Sequence, residues 1–167
     1  VKASQFIAKG PLVLAASADL EGLLALGFLE AALLDAGISY SRRFIRPMKN
    51  IPRDEQDIVP EYKGTKIVFI DSFAKTDVQD SQEIMVIKPR EVVVEFPHSE
   101  QKRRGTVDAV IQSSAIASML SPSGAKATRF RPYTGAGQWL MEGLDTTIDP
   151  IHTLVRDFLR DEGAIQI

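Results

Sequence analysis

The sequence predicts an α/β fold in which a mostly parallel sheet is flanked by helices. Three observations carry that prediction. The apolar run over 11–16 ends in a polar turn and leads straight into a long apolar helix over 20–36, with Gly37 at the C-cap position that a left-handed backbone favours. Strand-like and helix-like segments then alternate along the chain, the order that builds parallel sheets. Breaks rich in proline, glycine and serine, such as Ser121-Pro122-Ser123-Gly124, separate the segments.

In chain order, strands are expected at 11–16, 39–45, 66–70, 84–88, 91–95 and 126–131, and helices at 20–36, 106–120, 136–144 and 150–161. Pro47 to Tyr62, with Pro47, Pro52, Pro60 and many charges, reads as a long loop of the kind that is often functional. Tyr133 to Trp139 contains a G-x-G but not the dinucleotide fingerprint after a first strand, so it reads as a turn into a helix on which Trp139, Leu140 and Leu144 pack. From Asp149 the chain carries Ile151, Leu154, Val155, Phe158 and Leu159 at helical spacing, with Pro150 at the first helical position. That stripe packs on the sheet or binds a partner.

The chemistry-bearing stretch is Ser17-Ala18-Asp19-Leu20-Glu21-Gly22. Two acids at a strand-to-helix turn face the crevice beyond the strand's carboxyl end, where open α/β sheets bind ligands. Such a pair holds a divalent cation through oxygen. It serves equally as a cap, with Asp19 accepting backbone N–H bonds and Glu21 opposing the helix dipole.

Val13 to Leu23, followed by Ala31-Ala32-Leu33-Leu34-Asp35-Ala36-Gly37, resembles the first motif of the DHH phosphoesterase superfamily, to which RecJ belongs. That motif is a strand, then H-x-D-x-D-G and a hydrophobic residue, then a helix. Aligned on Gly22, the family histidine falls on Ser17 and the two aspartates on Asp19 and Glu21. Gly64 to Asp71 is similar to the second motif, a strand ending in a metal-binding aspartate. Glu91 to His98 is similar to the third, with Glu95 in place of the aspartate and Phe96 and Pro97 in place of both histidines. A one-residue slip brings His98 into that site.

The resemblance covers about residues 10–121 and implies a DHH-like, Rossmann-like domain without the family's C-terminal substrate-binding domain. A two-manganese hydrolase needs carboxylates and imidazoles enough for both ions and a bridging hydroxide. The chain has two histidines in all. No metal and no catalysis are therefore expected; the alternative is a residual phosphoesterase or single-strand nuclease in which Asp19, Glu21, Asp71 and Glu95 hold manganese or magnesium. The kind of inactive DHH protein implied is the archaeal RecJ-like partner of GINS and the MCM helicase, similar to the "C" subunit of the eukaryotic CMG helicase. A second alternative is a Rossmann-like module binding a nucleotide above Asp19 and Gly22.

The 167 residues suit one domain able to bury roughly 70% of its unfolded surface. The absence of cysteine removes disulfides, thiol catalysis and cysteine metal sites. A net charge of −2 argues against a surface that clings everywhere to nucleic acid. Local clusters remain, at Arg42, Arg43 and Arg46 and at Lys102, Arg103 and Arg104, which touch phosphates of single-stranded DNA weakly if the strand ends bring them together. No segment reads as a membrane span or a signal peptide, so the expected location is cytoplasmic and nucleoid-associated.

Overall fold

A computed structural model describes residues 2–45, 64–72, 74, 76–96, 100–137 and 149–166. The elements run α1 (Lys2–Ala8), β1 (Leu12–Ser17), α2 (Leu20–Ala36), β2 (Tyr40–Ile45), β3 (Lys66–Ile70), β4 (Ile84–Ile87), β5 (Arg90–Glu95), β6 (Lys102–Val107), α3 (Ala109–Leu120), α4 (Ala125–Phe130), a 3-10 turn (Arg131–Gly135) and α5 (Pro150–Asp161). Strands β1 to β4 form one parallel sheet in the order β2-β1-β3-β4, flanked by helices. The chain moves from β1 to one neighbour and then returns to the other side of β1. That reversal makes a topological switch point between the ends of β1 and β3.

The side-chain alternation of β1 divides its apolar residues between the two faces. Leu12, Leu14 and Ala16 join Phe28, Leu29 and Leu33 of α2, Val68 and Ile70 of β3, and Val110 of α3 in the main core. Val13 and Ala15 pack with Ile67, Phe69 and Val86 on the opposite face. Each fully buried leucine, isoleucine or phenylalanine of this kind contributes about 1.5–3 kcal/mol of transfer free energy. Helix α2 packs most extensively against α3. That pairing brings the N-terminus of α3 to the first turn of α2.

Three expectations are corrected. Residues 126–131 are not a strand: Asp35 of α2 accepts from the Lys126 and Ala127 N–H groups at 3.0 and 2.9 Å, capping α4, and Phe130 packs edge-on against Phe28 at 5.6 Å. The strand over 91–95 leaves the parallel sheet and pairs antiparallel with β6, from Arg90↔Val107 to Glu95↔Lys102. The helix expected from 106 begins at Ala109, because Asp108 is its N-cap, accepting from the Ile111 N–H at 2.7 Å. Helix α1 was not foreseen. Helix α5 lies on β6 and the 3-10 turn, with Ile151, His152 and Leu159 buried. The 47–62 loop, and the helix expected over 136–144 beyond Gly137, lie outside the described residues. Among the described residues no helix is long and apolar enough to cross a membrane.

Candidate functional site

Ser17 ends β1, Asp19 and Glu21 open α2, and Asp71 and Ser72 follow β3, so the topology gathers the first two motifs at the switch point. Asp19 has extended backbone and caps α2: its Oδ1 accepts from the Gly22 N–H at 2.8 Å. Gly22 is required there, since a Cβ would press on the Ser17 carbonyl. Both Asp19 carboxylate oxygens also lie 2.8 Å from the Ser72 hydroxyl, and Ser17 Oγ bonds that hydroxyl in turn. A carboxylate only accepts, so Ser72 donates to Asp19 and Ser17 donates to Ser72. Ser17 is thus the first link of a hydroxyl relay that ties β1 to β3.

Asp71 is 3% exposed, and its Oδ2 accepts from the Thr76 N–H and the Thr76 hydroxyl, both at 2.9 Å. The carboxylate folds the β3–β4 connection back onto the strand end. Glu21 is also 3% exposed; its Oε1 accepts from the Ala109 N–H of α3 at 3.2 Å. Burial pushes the Glu21 carboxyl up to about 7, and the negative charges of Asp108 and Asp19 add to the effect, against the opposing Ala109 bond. Asp108, likewise 3% exposed, is raised to about 6 by burial, with Asp149 adding and the Ile111 and Val110 amides opposing. The first turn of α3 therefore receives two buried carboxyls, Glu21 from across the helix interface and Asp108 from its own cap. Glu21 Oε2 and Asp108 Oδ2 have no hydrogen-bond partner among the described residues. Gly137 closes over the pair, where a Cβ would stand 2.7 Å from Asp108 Oδ2.

These donors do not fit a two-metal centre. Asp19, Glu21 and Asp71 each already accept from protein N–H or O–H groups that position them for structural roles. Glu95, expected as the third-motif acid, sits exposed on the hairpin and pairs with Lys102 at 3.0 Å. By the β5–β6 register it lies five residues from the hairpin root at Arg90↔Val107, about 16 Å along the strand. No three histidine, aspartate or glutamate side chains converge as a metal site among the described residues. His98 lies outside the described residues.

The basic clusters are kept apart. Arg42 and Arg43 stand on the edge strand β2, with Arg42 paired to Glu30 at 3.5 Å. Lys102, Arg103 and Arg104 stand on a hairpin that leaves the sheet from β4, the opposite edge; Lys102 pairs with Glu95 and Arg103 lies over the Phe96 ring at 5.4 Å. Arg46 lies outside the described residues.

Sequence reasoning missed Ser72, Thr76 and Asp108. Ser72 and Thr76 carried no pattern of their own, since their roles arise from the β1–β3 pairing. Asp108 did carry one, an aspartate directly before an apolar helical run. No protein-family model and no curated protein matches the sequence.

Proposed function

We propose that this chain is a catalytically inert DHH-like module that works as a docking scaffold, in the manner of the RecJ-like protein that binds GINS and supports MCM in the archaeal replication helicase assembly. One observation carries the reading: the acids that the motif resemblance would make metal ligands serve structural roles. Asp19 caps α2 and anchors Ser72, Glu21 caps α3, and Asp71 holds Thr76. Carboxylates that accept from backbone amides and hydroxyls in this way support a structural role for the crevice, with the partner met by the surface around it. The partner assignment rests on the motif resemblance, since a fold alone does not name a function.

The test is co-elution of this protein with GINS from the same source on size exclusion, at low and at high salt. A complex that survives high salt is expected, because a specific apolar interface is little screened. Separate elution, together with manganese-dependent cleavage of single-stranded DNA abolished by Asp71→Ala, would overturn the reading in favour of a residual nuclease.

A further inference from the structure

Beside edge strand β4, away from the crevice, α1, α3 and the hairpin enclose an open groove of about 590 Å³. Its walls are apolar: Phe6 of α1, Met85 and Ile87 of β4, and Ile111, Ala115 and Ile116 of α3. Several of its polar groups are already engaged. The Gln112 amide donates to the Lys88 and Val107 carbonyls at 2.7 and 3.0 Å. On β4, the Ile84 N–H donates to Ser81 Oγ at 3.1 Å, the Ile84 carbonyl accepts from the Ser81 N–H at 2.8 Å, and the Val86 N–H donates to Asp80 at 2.7 Å. The Asp80–Ser81 segment blunts the strand edge, so an added β-strand finds its hydrogen bonds taken. What the groove chiefly offers is side-chain burial.

The rim is basic. A second depression, of about 370 Å³, adjoins the first through the shared Lys2 and Phe6 and adds Lys9 and Lys66. The Lys66 ammonium lies 5.5 Å from the Phe6 ring centroid and donates to the Lys9 carbonyl at 3.3 Å. Among the described residues no carboxylate pairs with Lys2, Lys9 or Lys66, whereas Arg90 at the far side is offset by Asp80 at 4.0 Å. An apolar floor beside a blunted strand edge, bordered on one side by three ammonium groups with no paired carboxylate among the described residues, selects an amphipathic and acidic occupant.

We propose that this groove docks an amphipathic helix of a partner protein. Its apolar stripe seats between α1 and α3, and its flanking aspartates or glutamates meet Lys2, Lys9 and Lys66. The groove takes any helix of that chemistry, so the peptide experiment below stands apart from whether GINS owns it.

Two fluorescein-labelled helical peptides with the same leucine stripe, one flanked by glutamate and one by lysine, are titrated against the full chain by anisotropy. The glutamate peptide is expected to bind and the lysine peptide to bind about tenfold or more weakly, with the difference shrinking at high salt. Ala115→Glu, at an exposed wall position that folding tolerates, and the double variant Lys2→Glu/Lys9→Glu are each expected to weaken the glutamate peptide about tenfold. Leu34→Glu, on the exposed face of α2, leaves it unchanged. Equal binding of both peptides, or wild-type binding by Ala115→Glu and by the double lysine variant, overturns the proposal. So does decanoate occupying the groove when the glutamate peptide does not, which would make it a site for small amphiphiles.

Discussion

Glu21→Gln isolates the cost of burying a carboxylate at the α2–α3 junction. Glutamine keeps the shape and an oxygen to accept from the Ala109 N–H at 3.2 Å, and removes the charge. The wild-type carboxyl titrates near 4.5 when exposed and at about 7 in the fold. Because the folded value is the higher one, the native state holds a proton that the unfolded chain has lost. The stabilisation is complete below the unfolded value and is lost as pH rises through the folded one. Between pH 5 and 8 the loss from Glu21 alone comes to about 2–3 kcal/mol, at about 1.4 kcal/mol per pH unit across the window. Asp108 acts in the same direction between its ordinary value and about 6, so the two acids together favour mildly acid conditions.

For a chain of this size about 2–3 kcal/mol corresponds to roughly 4–12 °C of melting temperature. Melting curves by circular dichroism at pH 5, 6, 7 and 8 give the measurement, and the difference between wild type and Glu21→Gln cancels the titrating groups that are not coupled to Glu21, leaving its own contribution and its coupling to Asp108 and Asp19. The wild type is expected to lose stability from pH 5 to 8 relative to the variant, which overtakes it near neutrality. Parallel curves for the two proteins, or a wild type that gains on the variant as pH rises, would refute the burial argument.

The hydrogen-bond assignments give three further expectations. Asp71→Ala leaves both Thr76 donors without their acceptor and is expected to cost about 1–3 kcal/mol, read as a lower urea midpoint; an unchanged midpoint would deny the carboxylate its role in holding the β3–β4 connection. Gly22→Ala places a methyl against the Ser17 carbonyl and 2.9 Å from Ser17 Oγ, so it destabilises by roughly 2 kcal/mol or more, opposite in sign to the gain alanine brings in an open helix; a raised melting temperature would show that the turn can open. Asp35→Ala uncaps α4 at a cost of about 1–2 kcal/mol, and hydrogen exchange over 125–130 should quicken before the rest of the core; uniform protection would count against the cap.

What the sequence made legible was local. The strand–turn–helix from Leu12 to Gly37 could be placed because its signals, an apolar run, a capping aspartate and a C-cap glycine, all lie within the segment they define. The α4 segment could not, because its cap, Asp35, comes from another helix far back in the chain. Strand β6 was hidden for a related reason. Its first residues are exposed and basic, and Gly105 is needed only because Asp149 and Ile151 pack over it, at 2.6 and 2.8 Å from where a Cβ would stand. At the site, the acids of the first two motifs were found at the crevice, while their partners Ser72, Thr76 and Ala109 depended on the pairing of β1 with β3 and of α2 with α3. Glu95 stands away from these acids because β5 leaves the sheet, which the apolar run Val92-Val93-Val94 does not announce.

That departure bears on whether the DHH motif, written into this chain, could bind manganese. Ser17→His with Glu21→Asp rewrites the first motif as the DHH pattern reads it, and Asp71 already stands at the end of β3. If ligand identity alone decides metal binding here, the double variant should bind manganese. A site with a dissociation constant one hundredth of the manganese concentration would stabilise the fold by about 2.7 kcal/mol, several degrees in melting temperature. The expected outcome is no such shift. Glu95 remains on the hairpin about 16 Å from its root. Aspartate at 21 is one methylene too short to cap Ala109, and Asp19 and Asp71 stay bonded to Ser72 and Thr76. A manganese-dependent rise in the variant and not in the wild type would show that the architecture can hold the metal once the ligands are present, and the scaffold reading would lose its main support.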